Sequence, residues 1–203
     1  MLTLAEGKIA IRLARDAITS FTENKIKIRP NDLPPVFSEN HGVFVTLHKN
    51  GELRGCIGYP LPVLPLGFAI VDSAINACSC DPRFQCVKPN ELNHIILEVT
   101  ILTKPEPYHI PKTLLPGTIR IGKDGLIVSK GSRSGLLLPQ VAPEWGFDAL
   151  DFLSHTCLKA GLPPDAWLDE DTEVQHFEAQ IFAEIEESSE ITEKKYSDST
   201  CEI

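Results

Sequence analysis

An α+β fold, a mainly antiparallel sheet with helices packed on it, is predicted by three features of the chain. Helical and strand-like segments follow one another in the order helix, hairpin, helix, strand, hairpin, strand, helix, strand. Hairpins that follow directly in sequence pair their strands antiparallel. Hydrophobic residues make up 42% of the 203 residues and charged residues 23%, which is ample apolar material for a core.

The elements justify themselves in order. Thr3-Leu4-Ala5-Glu6 has the capping-box pattern, in which Thr and Glu satisfy free backbone N–H groups at a helix start. Ile9, Leu13, Ala14, Ala17, Ile18 and Phe21 then recur at helical spacing, and the helix is expected to end near Glu23-Asn24. Pro30, Pro34 and Pro35 mark a connection. Residues 43–49 alternate like a strand, Asn50-Gly51 is the favoured type I′ turn, and residues 52–58 return. A regular ladder from that turn sets Lys49 opposite Glu52, Leu47 opposite Arg54, Val45 opposite Cys56 and Phe44 opposite Ile57. It also puts Arg54 and Cys56 on one face.

Residues 66–80 read as a second helix, stopped by Asp81-Pro82 because a residue before proline leaves the helical region. Residues 94–102 form a strand with Ile95, Leu97, Val99 and Ile101 on one face. Residues 118–121 and 126–130 are expected to pair around Lys123-Asp124-Gly125, and a turn at 131–135 leads to a strand at 135–139. A third helix spans 147–159, stopped by Gly161 and Pro163-Pro164. A last strand, 173–185, carries Phe177, Ala179, Ile181, Ala183 and Ile185 on one face.

Charge narrows the function. Asp plus Glu is 28 against 19 Lys plus Arg, a net charge of −9. DNA and other polyanions call for a basic face, so no DNA partner is expected. RNA is disfavoured too, with three Tyr and two Trp for stacking. Residues 184–203 hold seven acids and two bases, −5 of the −9, which leaves −4 for the rest. The chain is polar and aperiodic after about Ser188. A folded domain over 1–187 and a disordered acidic tail over 188–203 are therefore expected. The longest uncharged run, 55–71, is 17 residues broken by Pro60, Pro62 and Pro65, so no membrane span is expected. Glu6, Lys8 and Arg12 interrupt any secretion signal. Six irregularly spaced cysteines without such a signal read as reduced thiols in a cytoplasm.

Two clusters could carry chemistry. Gly55-Cys56-Ile57-Gly58 flanks a thiol with glycines, which leaves room for a ligand, and Arg54 on the same predicted face would favour the thiolate. The same pattern also describes a small buried thiol. Asp81-Pro82-Arg83-Phe84 is a rigid corner that presents Arg83 to an anion, or a helix stop with a local ion pair. Cys78, Cys80, Cys86 and His94 do not have the spacing of a zinc site, and no metal is expected. Gly131–Gly135 could nest an anion but reads better as a turn with solvated charge. No nucleotide-binding fingerprint is present, and a Cys56–His155 dyad depends on the fold alone.

Leu53-Arg54-Gly55-Cys56-Ile57-Gly58 resembles the LRGCIG signature of the AMMECR family. Asp81-Pro82-Arg83-Phe84 is similar to the family's second motif. Gly125–Val128 with residues 135–142 resembles its third, and Lys159-Ala160-Gly161-Leu162 its fourth. Together these span most of residues 5–185, in the arrangement of the stand-alone archaeal members. The resemblance implies two unequal α+β lobes with a cleft between them. It implies an enzymatic or RNA-related role; taken with the residues, the expected function is a cytoplasmic enzyme or enzyme component acting on a small anionic substrate around Arg54 and Cys56. The alternative is a non-catalytic module that binds a small anion, RNA or a protein partner. Memo-like and radical SAM proteins are the implied partners, and no cofactor is expected. Carried over residue by residue, Cys56 is the candidate nucleophile with Arg54 and Asp81 beside it. Arg83, Gly55, Gly58, Phe84, Pro139 and Lys159 are candidate substrate-binding residues.

Overall fold

The structure, a computed structural model, describes residues 1–185 and 190–194. In chain order its elements are α1 (Leu4–Asn24), β1 (Gly42–Lys49), β2 (Glu52–Tyr59), α2 (Leu66–Ser79), β3 (Ile95–Leu102), β4 (Glu106–Pro107), α3 (Leu115–Thr118), β5 (Asp124–Lys130), β6 (Arg133–Leu137), α4 (Val141–Trp145), α5 (Ala149–Lys159), β7 (Glu173–Glu184) and β8 (Ile191–Lys194). The fold is α+β with antiparallel pairing, as predicted. The chain divides into two units, Met1–Leu102 with Gln180–Lys195, and a second over Thr103–Ala179.

In the first unit the strands run β2-β1-β3-β7, with β8 also paired to β7. Both capping-box bonds form at the start of α1: Glu6 N–H donates to Thr3 Oγ1 at 3.3 Å and Thr3 N–H donates to Glu6 Oε2 at 2.7 Å. The helix ends at Lys25 in the left-handed region, φ 58°. Asn50 and Gly51 take φ 54° and 78°, as the type I′ turn requires. One face of the sheet carries Val45, Leu47, Leu97 and Val99, all fully buried in one core with Ile11, Ala14 and Ile18 of α1 and Ile70 and Ala74 of α2. Period-2 geometry sends Thr46, Glu98 and Thr100 to the other face, and all three are buried. Arg15 of α1 pairs with Glu184 and donates to Leu92 O and Ile95 O, which ties the end of β7 to the start of β3. Phe182 of β7 is fully buried and lies where a side chain on Gly7 would have to sit. The second half of β7 therefore buries both faces, whereas the sequence pattern assigned it one.

Part of the expected tail is also structured. Residues 191–194 pair with Ile181–Glu184, and Lys194 Nζ donates to Glu98 Oε2 at 2.7 Å. A short alternating Ile-Thr-Glu-Lys run, with Ile191 packed against the core, is enough to extend the sheet. The remainder of the tail lies outside the described residues.

In the second unit β5 lies between β6 and β7, and β4 pairs with β7. Phe152, Leu153 and Cys157 of α5 are fully buried with Leu126 and Val128 of β5. Residues 118–121 do not form a strand. Leu115 is fully buried and Pro116 sits in the first turn of α3, a position proline favours. Asp124 begins β5 instead of lying in a turn. It is buried and accepts from Arg120 N–H at 2.8 Å and Arg120 Nε at 3.1 Å, which closes the loop between them. Lys130 stands opposite Arg133, so the β5–β6 turn is the two residues Gly131-Ser132 and not a five-residue nest. Its charges are committed to protein, Arg133 to Gly161 O and Lys130 to Asp169 and Asp171. The short helix α4 was not foreseen. It displaces the start of α5 to Ala149, where Asp148 Oδ1 caps Asp151 N–H at 2.8 Å. Among the described residues no helix is long and apolar enough to cross a membrane.

Candidate functional site

The two clusters singled out in the sequence meet on β2. The regular ladder holds through Lys49↔Glu52 and His48↔Leu53 and then fails: the register shifts between Leu47 and His48, so Leu47 faces Gly55 and not Arg54. Arg54 is the extra residue of this bulge. Beyond it Thr46, not Val45, stands opposite Cys56, and Phe44 stands opposite Gly58.

The bulge changes what Arg54 does. Its Nε and Nη2 donate to the two carboxylate oxygens of Glu91 at 3.3 and 3.2 Å, and Nη1 donates to Gln85 O at 2.8 Å. Lys49 Nζ reaches the same carboxylate at 2.9 Å. Arg54 therefore ties the chain after α2 onto β2 and is not a neighbour that favours the Cys56 thiolate. Burial pushes the Cys56 thiol up. A hydrogen bond from Thr46 Oγ1 to its sulfur at 3.3 Å and the charge of Arg83 oppose this, while Asp81 and Glu98 add to it. The balance keeps the thiol protonated at neutral pH.

Asp81 and Arg83 act as a clip on the strand. Cys56 N–H donates to Asp81 Oδ2 at 2.9 Å, and Arg83 Nη2 donates to Cys56 O at 3.3 Å. Between them, Arg83 Nε and Nη2 donate to the two oxygens of Asp81 at 3.0 and 2.7 Å. Proline between the two residues fixes the corner that allows this. The Arg83 guanidinium, with N–H donors from Cys56 and Arg83 itself, outweighs burial and holds the Asp81 carboxyl well below the usual carboxylate range. Asp81 is buried, whereas the Arg83 side chain is 53% exposed and its guanidinium stands 5.4 Å from the Phe84 ring.

The signature glycines have steric reasons. A Cβ on Gly55 would lie 2.2 Å from Ala77 O near the end of α2. One on Gly58 would lie 2.1 Å from Val43 O. Both values are closer than real contacts allow, so neither residue can carry a side chain where it stands.

Other candidates lie elsewhere. Pro139 and Lys159 belong to the second unit. His155 Nδ1 hydrogen-bonds Asp151 O at 3.1 Å, with its ring against Phe147. Cys78 is buried while Cys80 and Cys86 are exposed, and the five described cysteines are free. Among the described residues no three His, Cys, Asp or Glu side chains gather as a metal set. Sequence reasoning missed Glu91, Thr46 and Glu98. Glu98 had a readable signal, the one charged residue within the apolar run 95–102. Glu91 and Thr46 depend on the loop and on the bulge.

Glu91 makes the latch acid-sensitive. Burial raises its carboxyl, but hydrogen bonds from Arg54, Lys49 and Lys88 N–H together bring it down to about 2. The unfolded chain then takes up the proton first as pH falls. The stabilisation, on the order of 3 kcal/mol, is complete above the unfolded value near 4.5 and is lost between there and about 2. Urea unfolding at pH 7 and at pH 3 should show this loss, and Glu91→Gln should be less stable at pH 7 and lose less on acidification. The same acid loss in the variant would place the sensitivity elsewhere.

An α+β protein whose outermost strand carries a half-buried thiol, clipped by an Asp–Arg pair, is the class that these features define. The chain belongs to the AMMECR1 family, whose profile matches residues 11–182. It is 53% identical over 201 residues to protein Mbar_A1807 of Methanosarcina barkeri, covering 97% of this chain and 99% of that one. It is 52% identical over 184 residues to protein PF1979 of Pyrococcus furiosus, covering 88% of each. Its structure is similar to the crystal structure of uncharacterized protein PH0010 from Pyrococcus horikoshii, with a TM-score of 0.86 and 47% identity, covering 94% of this chain and 97% of that one.

Proposed function

We propose that the chain is a cytoplasmic binding module for a small anionic ligand, gripped by Arg83 beside Cys56. One observation carries this reading. Asp81 holds Nε and Nη2 of Arg83, so the guanidinium is fixed in orientation, while Nη1 makes no hydrogen bond among the described residues. A pre-oriented, exposed guanidinium edge binds a carboxylate or phosphate without first paying for its own ordering. The free cysteines suit a reducing compartment. The Memo-like and radical SAM proteins that the resemblance implies as partners fit a module that holds a ligand for chemistry done on another protein.

A second reading, a thiol enzyme, is favoured by one row of side chains. Thr46 stands opposite Cys56 on one side and Glu98 on the other. That places a buried carboxylate two strands from the thiol, as a candidate acid or base.

Two measurements separate the readings. Titration with pyrophosphate and malonate should show binding that weakens with salt and falls at least tenfold in Arg83→Ala, with folding checked by circular dichroism. Cys56→Ser should bind as the parent does. Alkylation of each cysteine against pH should leave Cys56 unreactive until denaturation. A Cys56 that reacts with an apparent pKa below the free-thiol value of about 8.5 would support the enzyme. Salt-insensitive binding, or binding unchanged in Arg83→Ala, would sink the Arg83 grip.

A further inference from the structure

The second unit carries a surface feature that the Arg83 grip does not use. Helix α4 ends at Trp145, Gly146 turns the chain in the left-handed region at φ 67°, and Phe147 follows. Phe147 N–H is held by Ala142 O at 2.8 Å. The turn thus sets two aromatic rings side by side, with Trp145 and Phe147 stacked at 6.3 Å and 29°. The His155 ring continues the row, 4.1 Å from Phe147 and tilted by 33°. Asp148 caps α5 one residue later, and that helix places His155 and Lys159, four residues apart, on one side. Leu137, Val141, Trp145, Phe147, His155 and Lys159 line a depression of about 340 Å³.

Two properties of this depression are unusual for a surface. Trp145 is 72% exposed, although the other tryptophan, Trp167, is buried. A large apolar ring left in water beside an apolar floor is burial that a ligand can still collect. Lys159, at the end of the aromatic row, makes no ion pair or hydrogen bond among the described residues, so its ammonium is an uncommitted charge. The volume is that of a small-molecule site.

From these observations we infer that the Trp145–Phe147–Lys159 depression is a binding site for a small planar aromatic carboxylate. The ring stacks on the aromatic row over Leu137 and Val141, and the carboxylate pairs with Lys159. Stacking supplies affinity for a flat π-system, and the single cation selects an acid over its neutral amide. The inference is independent of the Arg83 grip, which lies in the other unit.

The test uses the full chain and a matched pair of probes, naphthalene-2-carboxylate and naphthalene-2-carboxamide. The two tryptophan indole N–H signals are followed by nuclear magnetic resonance. The carboxylate should shift the Trp145 signal at submillimolar concentration and leave that of Trp167 in place. The carboxamide should bind about tenfold more weakly. Lys159→Met should remove that preference without changing carboxamide binding, and Trp145→Ala, read by the line broadening of the probe's own signals because the Trp145 reporter is gone, should abolish the binding of both. Several outcomes overturn the inference: no Trp145 shift at several millimolar probe, equal shifts of both tryptophans, equal affinity for acid and amide, or sedimentation as a dimer with Trp145 insensitive to the probe. The last would assign the patch to a second copy of the chain.

Discussion

Asp81→Ala should cost on the order of 3 kcal/mol, seen as a lower midpoint of urea unfolding at neutral pH. The carboxylate is buried and accepts from Cys56 N–H, from Arg83 N–H and from two nitrogens of the Arg83 guanidinium. Its removal strands the Cys56 amide on the outer strand and releases the loop that follows α2. Arg83 is half exposed, so water can take over its charge; the loss comes mainly from the part-buried amide and the charge-assisted hydrogen bonds. A variant as stable as the parent would mean that Asp81 serves a ligand and not the fold. That outcome would support the catalytic role expected from the sequence.

Gly55→Ala should be of similar size. The added methyl would stand 2.2 Å from the backbone oxygen of Ala77, and neither β2 nor the end of α2 can yield as a flexible side chain does. About 3 kcal/mol is expected, at the upper end for overpacking. Gly117→Ala is the matched control, because nothing lies within 4 Å of a Cβ there. Chemical denaturation of both variants decides the matter: equal midpoints would remove the steric reason for the signature glycine.

The sequence made much of this fold legible, for local reasons. The capping box, the Asn50-Gly51 turn and the alternation of residues 95–101 each depend on a few neighbouring residues, and each appears where expected. What failed depended on distant partners. A bulge at Arg54 leaves no mark in a hairpin pattern, because the partner that draws Arg54 away, Glu91, lies 37 residues on. The strand expected at 118–121 failed because Asp124 looked like a turn residue, yet its carboxylate is buried under Arg120. Strand β8 is four residues in an acidic stretch, and its pairing and its Lys194–Glu98 contact are visible only once the sheet is built. For the candidate site, the residue types were readable and their bonds were not. Arg54, Asp81 and Arg83 all carry the chemistry of an anion site, but the first two are committed to holding a strand and a loop together.

The clip at Cys56 also bears on how copies of this chain behave in crowded solution. An outermost strand with free amides and carbonyls is a template on which another molecule can lay its own strand. At Cys56 both backbone groups are already taken, the N–H by Asp81 and the carbonyl by Arg83. The two side chains occupy the position that an incoming backbone would need, and they carry charge that such a backbone could not bury. The contact that fastens a loop to its own sheet thus also blocks the β2 edge at Cys56 to a neighbour's strand.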